Sequence, residues 1–210
     1  MVQPVPARRH TRPASRTEYH AALAAKRETR RETLLRSATD AIRRLGPEVS
    51  MDSMAAAAGI TKPILYRYFG DRDGLMTAVA GWFAGELVAR LEVIVDSADP
   101  PADRIRRAID CYVAFIEEDP ALYGFFAHHA SIGGAAVRNI VDPVAATLAR
   151  SVGEGLRATG VDSAPAETWA YGLVGMVHMA GAQWVARPTI PRHRLIEYLT
   201  QLTRFGLEGS

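Results

Sequence analysis

Lys62, Pro63, Tyr66, Arg67 and Tyr68 crowd into seven consecutive residues directly after Thr61. Hydroxyls and cations of this kind serve phosphate oxygens, and side chains at the start of a helix can reach base edges in a major groove. Leu65 and Phe69 lie four apart in the same segment, which predicts an inward anchor that leaves the polar members accessible. The competing use of Tyr66 and Tyr68 is to pack against a following helix.

Other reactive side chains point away from catalysis. His128, His129 and His178 invite a metal or catalytic role. Adjacent helical residues point about 100° apart, however, so His128 and His129 do not share a metal as an i, i+4 pair does. A polar contact in a pocket or a satisfied core histidine is the expected use. There is no nucleophile elbow, no pair of catalytic carboxylates and no phosphate-binding glycine loop. The single cysteine, Cys111, excludes an intrachain disulfide and a cysteine-rich zinc site. Neither an enzyme nor a bound cofactor or metal is expected.

The chain has 210 residues, 48% of them hydrophobic and 23% charged, enough to bury a core. Its net charge of +2 hides an asymmetry: residues 1–36 hold nine Arg and Lys against three Asp and Glu, a net of +6 that leaves −4 on the remainder. One end is thereby suited to a polyanion, or else is a solvated arm. No apolar stretch follows Arg8 and Arg9, so export is not expected and a cytoplasmic setting is. Residues 168–186 carry no charge, but Trp169 and Trp184 near their ends stand only about 22 Å apart along a helix, short of a hydrocarbon core of about 30 Å. Burial between the chain's own core and a partner is the preferred reading over a membrane span.

The elements that position these groups are all helical. Leu34, Leu35, Ala38, Ile42 and Leu45 predict a first helix near 28–45, stopped by Gly46-Pro47. Ser50 and Asp52 offer capping oxygens to a two-turn helix ending at Gly59, and Thr61 can cap the next, with Pro63 in its first turn. A long helix starts near Asp73, and further helices are expected near 102–118, 120–129, 135–159, 164–186 and 192–207, between proline and glycine breakers. Residues 1–26 read as a basic arm, disordered when free. Residues 27–72 form a head with the proportions of a helix-turn-helix, and 73–210 an acidic body.

The segment Met51-Asp-Ser-Met-Ala-Ala-Ala-Ala-Gly-Ile-Thr-Lys-Pro-Ile-Leu-Tyr-Arg-Tyr-Phe69, followed by Arg72 and Leu75, resembles the DNA-binding region of TetR-family regulators. The resemblance implies an all-helical homodimer whose three N-terminal helices bind DNA and whose body binds a ligand and dimerises. It places Thr61, Tyr66 and Arg72 on phosphate oxygens, Lys62 and Pro63 near base edges, and Tyr68 in either role. Pro47 departs from the aromatic residue usual after that glycine. More weakly, Phe115-Ile-Glu-Glu-Asp-Pro-Ala-Leu-Tyr123, Gly172-Leu-Val-Gly-Met176 and Trp184 are similar to actinobacterial regulators of lipid metabolism in that family, implying a fatty acyl-CoA or another lipophilic effector.

In the body, Tyr112 and Phe115, Tyr123 and Phe126, and Trp169, Leu173 and Met176 are candidates to line an effector pocket. Trp184, Leu195, Tyr198, Leu199 and Leu202 on the last two helices offer a dimer surface, with Gly172, Gly175 and Gly181 allowing close approach. A ligand-released repressor on a palindromic operator is the expected mechanism. Its rivals are a DNA-binding regulator without an effector, and a helical lipid-binding protein or enzyme with a vestigial head.

Overall fold

The structure is a computed structural model describing residues 16–129 and 135–208, with side chains described for 16–126 and 138–203. Among these residues every regular element is an α-helix: α1 (Arg16–Leu45), α2 (Met51–Ala57), α3 (Lys62–Phe69), α4 (Arg72–Val95), α5 (Pro101–Glu118), α6 (Pro120–His129), α7 (Ala135–Ala158), α8 (Ala166–Ala186) and α9 (Arg192–Glu208).

Helix α1 begins at Arg16, well before the expected start, so residues 16–26 are helical and not part of a disordered arm. The run Ala21-Ala22-Leu23-Ala24-Ala25 has high helix propensity and no breaker. Packing plays no part there, because residues 16–30 are all exposed. Burial starts with Leu34, Leu35, Ala38 and Ile42, and the helix closes where Gly46 takes φ +89° and its amide bonds the Ile42 carbonyl.

The head closes on itself through short, strongly punctuated turns. The Ser50 hydroxyl accepts the Ser53 amide at 3.1 Å to cap α2, and Gly59 turns the chain at φ +67°. Leu65 and Phe69 of α3 are buried against Met54, Ala55 and Leu34, as their spacing predicts. Pro47 faces α6, where a Cβ at Gly124 would lie 3.7 Å away, and Val49 supplies the buried side chain of that turn.

The corner between α3 and α4 is tight. Asp71 accepts the Gly74 amide at 2.7 Å, and a Cβ at Gly74 would collide with the Phe69 carbonyl oxygen. Helix α4 then runs through the middle of the molecule, with Leu75, Val79, Phe83, Leu87 and Leu91 all buried in one core that spans head and body. It packs chiefly on α7, and α7 on α8. A second core joins α5, α8 and α9 through Ile109, Val113, Trp184 and Leu199. Among the described residues, no helix is long and apolar enough to cross a membrane.

Candidate functional site

On the head, Thr61, Pro63, Arg67 and Arg72 are exposed, while Lys62, Tyr66 and Tyr68 are half-buried. Both tyrosines lean on the head core with one face and keep the other open, so the packing use and the accessible use coexist. Thr61 occupies the N-cap position of α3 but its hydroxyl makes no capping bond, leaving that oxygen free for another partner. The guanidinium of Arg67 lies 5.8 Å from the Tyr68 ring centroid. Sequence reasoning gave Asp52 only a capping role, which Ser50 takes, and the structure instead sets Lys62 Nζ 3.1 Å from Asp52 Oδ2. With Asp52 exposed and Lys62 still partly open to water, this pair is worth at most about 1 kcal/mol. It cannot hold Lys62 back from a polyanion, but it sets an acid beside the lysine. Residues 16–72 carry eleven Arg and Lys against seven Asp and Glu.

The body encloses an apolar cavity of about 380 Å³ walled by α4, α5, α6, α7 and α8. Tyr112, Tyr123, Phe126 and Leu173 line it. Phe115 does not: it is buried behind Phe83, the ring centroids 4.4 Å apart, with the Arg90 guanidinium over its other side. Trp169 and Met176 also lie elsewhere, in a shallow groove with Ile105, Val152 and Leu202. Helix α8 is apolar on nearly every side, so its composition could not tell the cavity face from this one.

Tertiary contact adds wall residues that sequence reasoning missed, notably Phe83, Leu87 and Val144, and it also sets His178 on the wall. Tyr112 Oη and His178 Nδ1 are 2.9 Å apart. The Tyr123 ring stands edge-on to the same imidazole at 6.1 Å, its buried hydroxyl beside that of Tyr112. Burial pushes the Tyr112 phenol well up and the Tyr123 phenol up, and pushes the His178 imidazole down, so all three are neutral at neutral pH. The side chains of His128 and His129 lie outside the described residues. Among those described, no group of three His, Cys, Asp or Glu is placed to hold a metal.

The expected dimer residues divide. Trp184, Leu195 and Leu199 are buried within the chain, packed with α5, and Trp184 Nε1 donates to the Ile190 carbonyl at 2.7 Å. Tyr198 and Leu202 stay outside, 51% and 55% exposed, as do Tyr171 and Met179 on α8. Gly172 and Gly175 face open space, but a Cβ at Gly181 would lie 3.1 Å from Ile116 and Tyr112, so that glycine serves the α5–α8 approach inside the chain. One further group links head to body: Arg43 at the end of α1 donates to Asp119 at 2.6 Å and covers the Trp82 ring, and Asp119 also accepts the Leu122 amide at the start of α6.

A two-helix reading unit on a helical body with its own cavity defines a helix-turn-helix transcriptional regulator. Residues 34–79 match the model of the tetR family of bacterial regulatory proteins, and residues 90–208 that of the tetracyclin repressor-like C-terminal domain. An HTH-type transcriptional regulator of Mycobacterium tuberculosis is 34% identical over 184 residues, 86% of this chain and 78% of that protein. Two solved structures share the fold at lower identity. RolR in complex with resorcinol has a TM-score of 0.71 at 22% identity, covering 86% of this chain and 88% of that one. Thermus thermophilus FadR in complex with lauroyl-CoA has a TM-score of 0.67 at 16% identity, covering 82% and 92%. The chain belongs to the TetR family of DNA-binding transcriptional regulators.

Proposed function

We propose that this protein is a cytoplasmic homodimeric repressor that leaves a palindromic operator when a small lipophilic effector fills the body cavity. The observation that carries this reading is the apolar cavity, whose wall includes Phe83 of α4, the helix that starts at the reading head, and Tyr123 of α6, the helix tied to α1 through Asp119 and Arg43. A guest that shifts α4 or α6 therefore acts on the head. Its effect is bounded by its differential affinity for the two arrangements. Two heads about 34 Å apart would enter successive major grooves with Thr61, Tyr66 and Arg72 on phosphates and Lys62 and Pro63 at base edges. The exposed side chains of Tyr198 and Leu202 on α9 would be covered by the second copy. The protein acts by binding and not by catalysis. The fold neighbours in complex with resorcinol and with lauroyl-CoA support a small-molecule guest for such a body.

Fluorescence anisotropy on DNA from upstream of the gene tests this, with and without a lipid extract. Saturable, salt-sensitive binding reversed by the extract is expected. Failure to bind any genomic fragment overturns the reading. Binding that no apolar compound alters favours a regulator without an effector.

A further inference from the structure

Residues 16–30 of α1 form about four turns of helix in which every residue is exposed. The packed part of α1, from Leu34 onward, has already met the cost of starting a helix, so this extension persists without contacts of its own. At 100° per residue, Arg16, Lys26, Arg27, Arg30 and Arg31 fall within one arc of about 140°, together with Tyr19 and Leu23, while Glu18, Glu28 and Glu32 fall on the opposite side. Glu28 pairs with Arg31 at 3.5 Å, but the charged ends of Lys26, Arg27 and Arg30 have no partner among the described residues. Lys26 and Arg30, like Arg27 and Arg31, are cations four apart on a helix, where like charges repel.

The arc lies on the side of α1 that meets the reading helix. The Arg31 guanidinium stands 5.1 Å from the ring centroid of Phe69, the last residue of α3, and Leu34, Ala38 and Ile42 further along that side are buried in the head core. The far end of α1 is tied to the body through Arg43 and Asp119. Arg16 stands about 40 Å from Arg43 along the helix axis, so the basic arc runs out past the head at the end remote from the body. We propose that this exposed half of α1 is a second DNA-contacting element, in which Arg16, Lys26, Arg27 and Arg30 bind phosphate oxygens of the duplex that α3 reads. This rests on the reading of the head as the unit that enters the grooves, and adds to it a contact that holds the duplex without reading bases. Charge complementarity selects the occupant: a phosphate backbone neutralises the mutually repelling cations. A lipid surface is the poorer match, since Tyr19 and Leu23 are the only large apolar side chains between residues 16 and 30.

Fluorescence anisotropy of the full chain tests the assignment on DNA from upstream of the gene and on an unrelated duplex of equal length, over a salt series. The triple variant Lys26→Gln, Arg27→Gln, Arg30→Gln keeps helix propensity and disturbs no packing, and circular dichroism should show unchanged helix. It should weaken both duplexes by a similar factor, about tenfold or more at low salt, and flatten the slope of log affinity against log salt by about two or more. The charge-preserving triple Lys26→Arg, Arg27→Lys, Arg30→Lys should keep the slope within about 0.5. An unchanged slope in the glutamine variant overturns the proposal while leaving α3 as the reader. So does a loss confined to the upstream fragment, which would mark base readout, or a variant that keeps the DNA slope and loses only binding to phosphatidylserine vesicles. A wild-type chain that binds neither duplex removes the reading of the head, and this element with it.

Discussion

Leu202 and Leu199 lie three residues apart on α9 and should respond oppositely to the same substitution. Leu202 is 55% exposed in the single chain, and Leu199 is 5% exposed. Fully burying a leucine side chain is worth about 1.5–3 kcal/mol, so covering the open half of Leu202 in both copies of a dimer contributes about 1.6–3.3 kcal/mol. Removing that contribution weakens the dimer roughly 15- to 250-fold. Leu202→Asp adds two carboxylates that a partner would cover, which pushes the effect toward the upper end. Leu199→Asp instead sets an unpaired carboxylate among Ile109, Val113 and Trp184, which costs about 4 kcal/mol or more of folding stability. Sedimentation velocity over a concentration series, with melting followed by circular dichroism, checks both. Leu202→Asp should be folded and monomeric, and Leu199→Asp should melt early. A Leu202→Asp dimer as tight as the wild type, or a Leu199→Asp chain that melts normally, would refute the division of α9 into an inner and an outer face.

Lys62→Ala should weaken operator binding by about 1–3 kcal/mol and relax the base preference it sets. Asp52→Asn removes the adjacent acid and should tighten binding at low salt, an effect fading as salt rises; anisotropy at several salt concentrations reads both, and weaker binding by Asp52→Asn would contradict the placement. His178 has a folded pKa below its usual 6.5 because burial disfavours the charged form. The unfolded chain thus takes up the proton first, and stability is full above that value and lost as pH falls below it. The melting temperature of the wild type should fall more between about pH 7 and about pH 5 than that of His178→Gln, and parallel curves would exclude this cost. Deleting residues 1–26, a basic segment, should weaken DNA binding and flatten the dependence of log affinity on log salt. An unchanged slope would show that the segment makes no DNA contact.

Helix ends were legible because their causes are local. Gly46, Gly59 and Gly70 take positive φ where the chain turns, and Pro101 and Pro120 stand at the first residues of α5 and α6. The start of α1 was not legible from periodicity, since an alanine run that packs on nothing shows no apolar face. The inward anchors Leu65 and Phe69 follow from a spacing of four. The same spacing misled on α9, where Leu195 and Leu199 face α5 while Tyr198 and Leu202 face outward: two apolar pairs were taken for one surface. Four of seven expected cavity residues line it, because aromatic composition marks helices that pack together but not which flank of α8 meets the hollow. The meeting of Tyr112, Tyr123 and His178 brings together side chains from three helices, and no local pattern encodes it.

The corner at Gly74 makes the join between the reading helix and α4 a weld and not a hinge. The Gly70 amide bonds the Tyr66 carbonyl at 2.6 Å, Asp71 grips Gly74, and no room is left between Gly74 and the Phe69 carbonyl. The reading helix and α4 are therefore held as one piece. If the proposed effector acts through α4, an isolated half of the operator should be held equally well whether or not the guest is present.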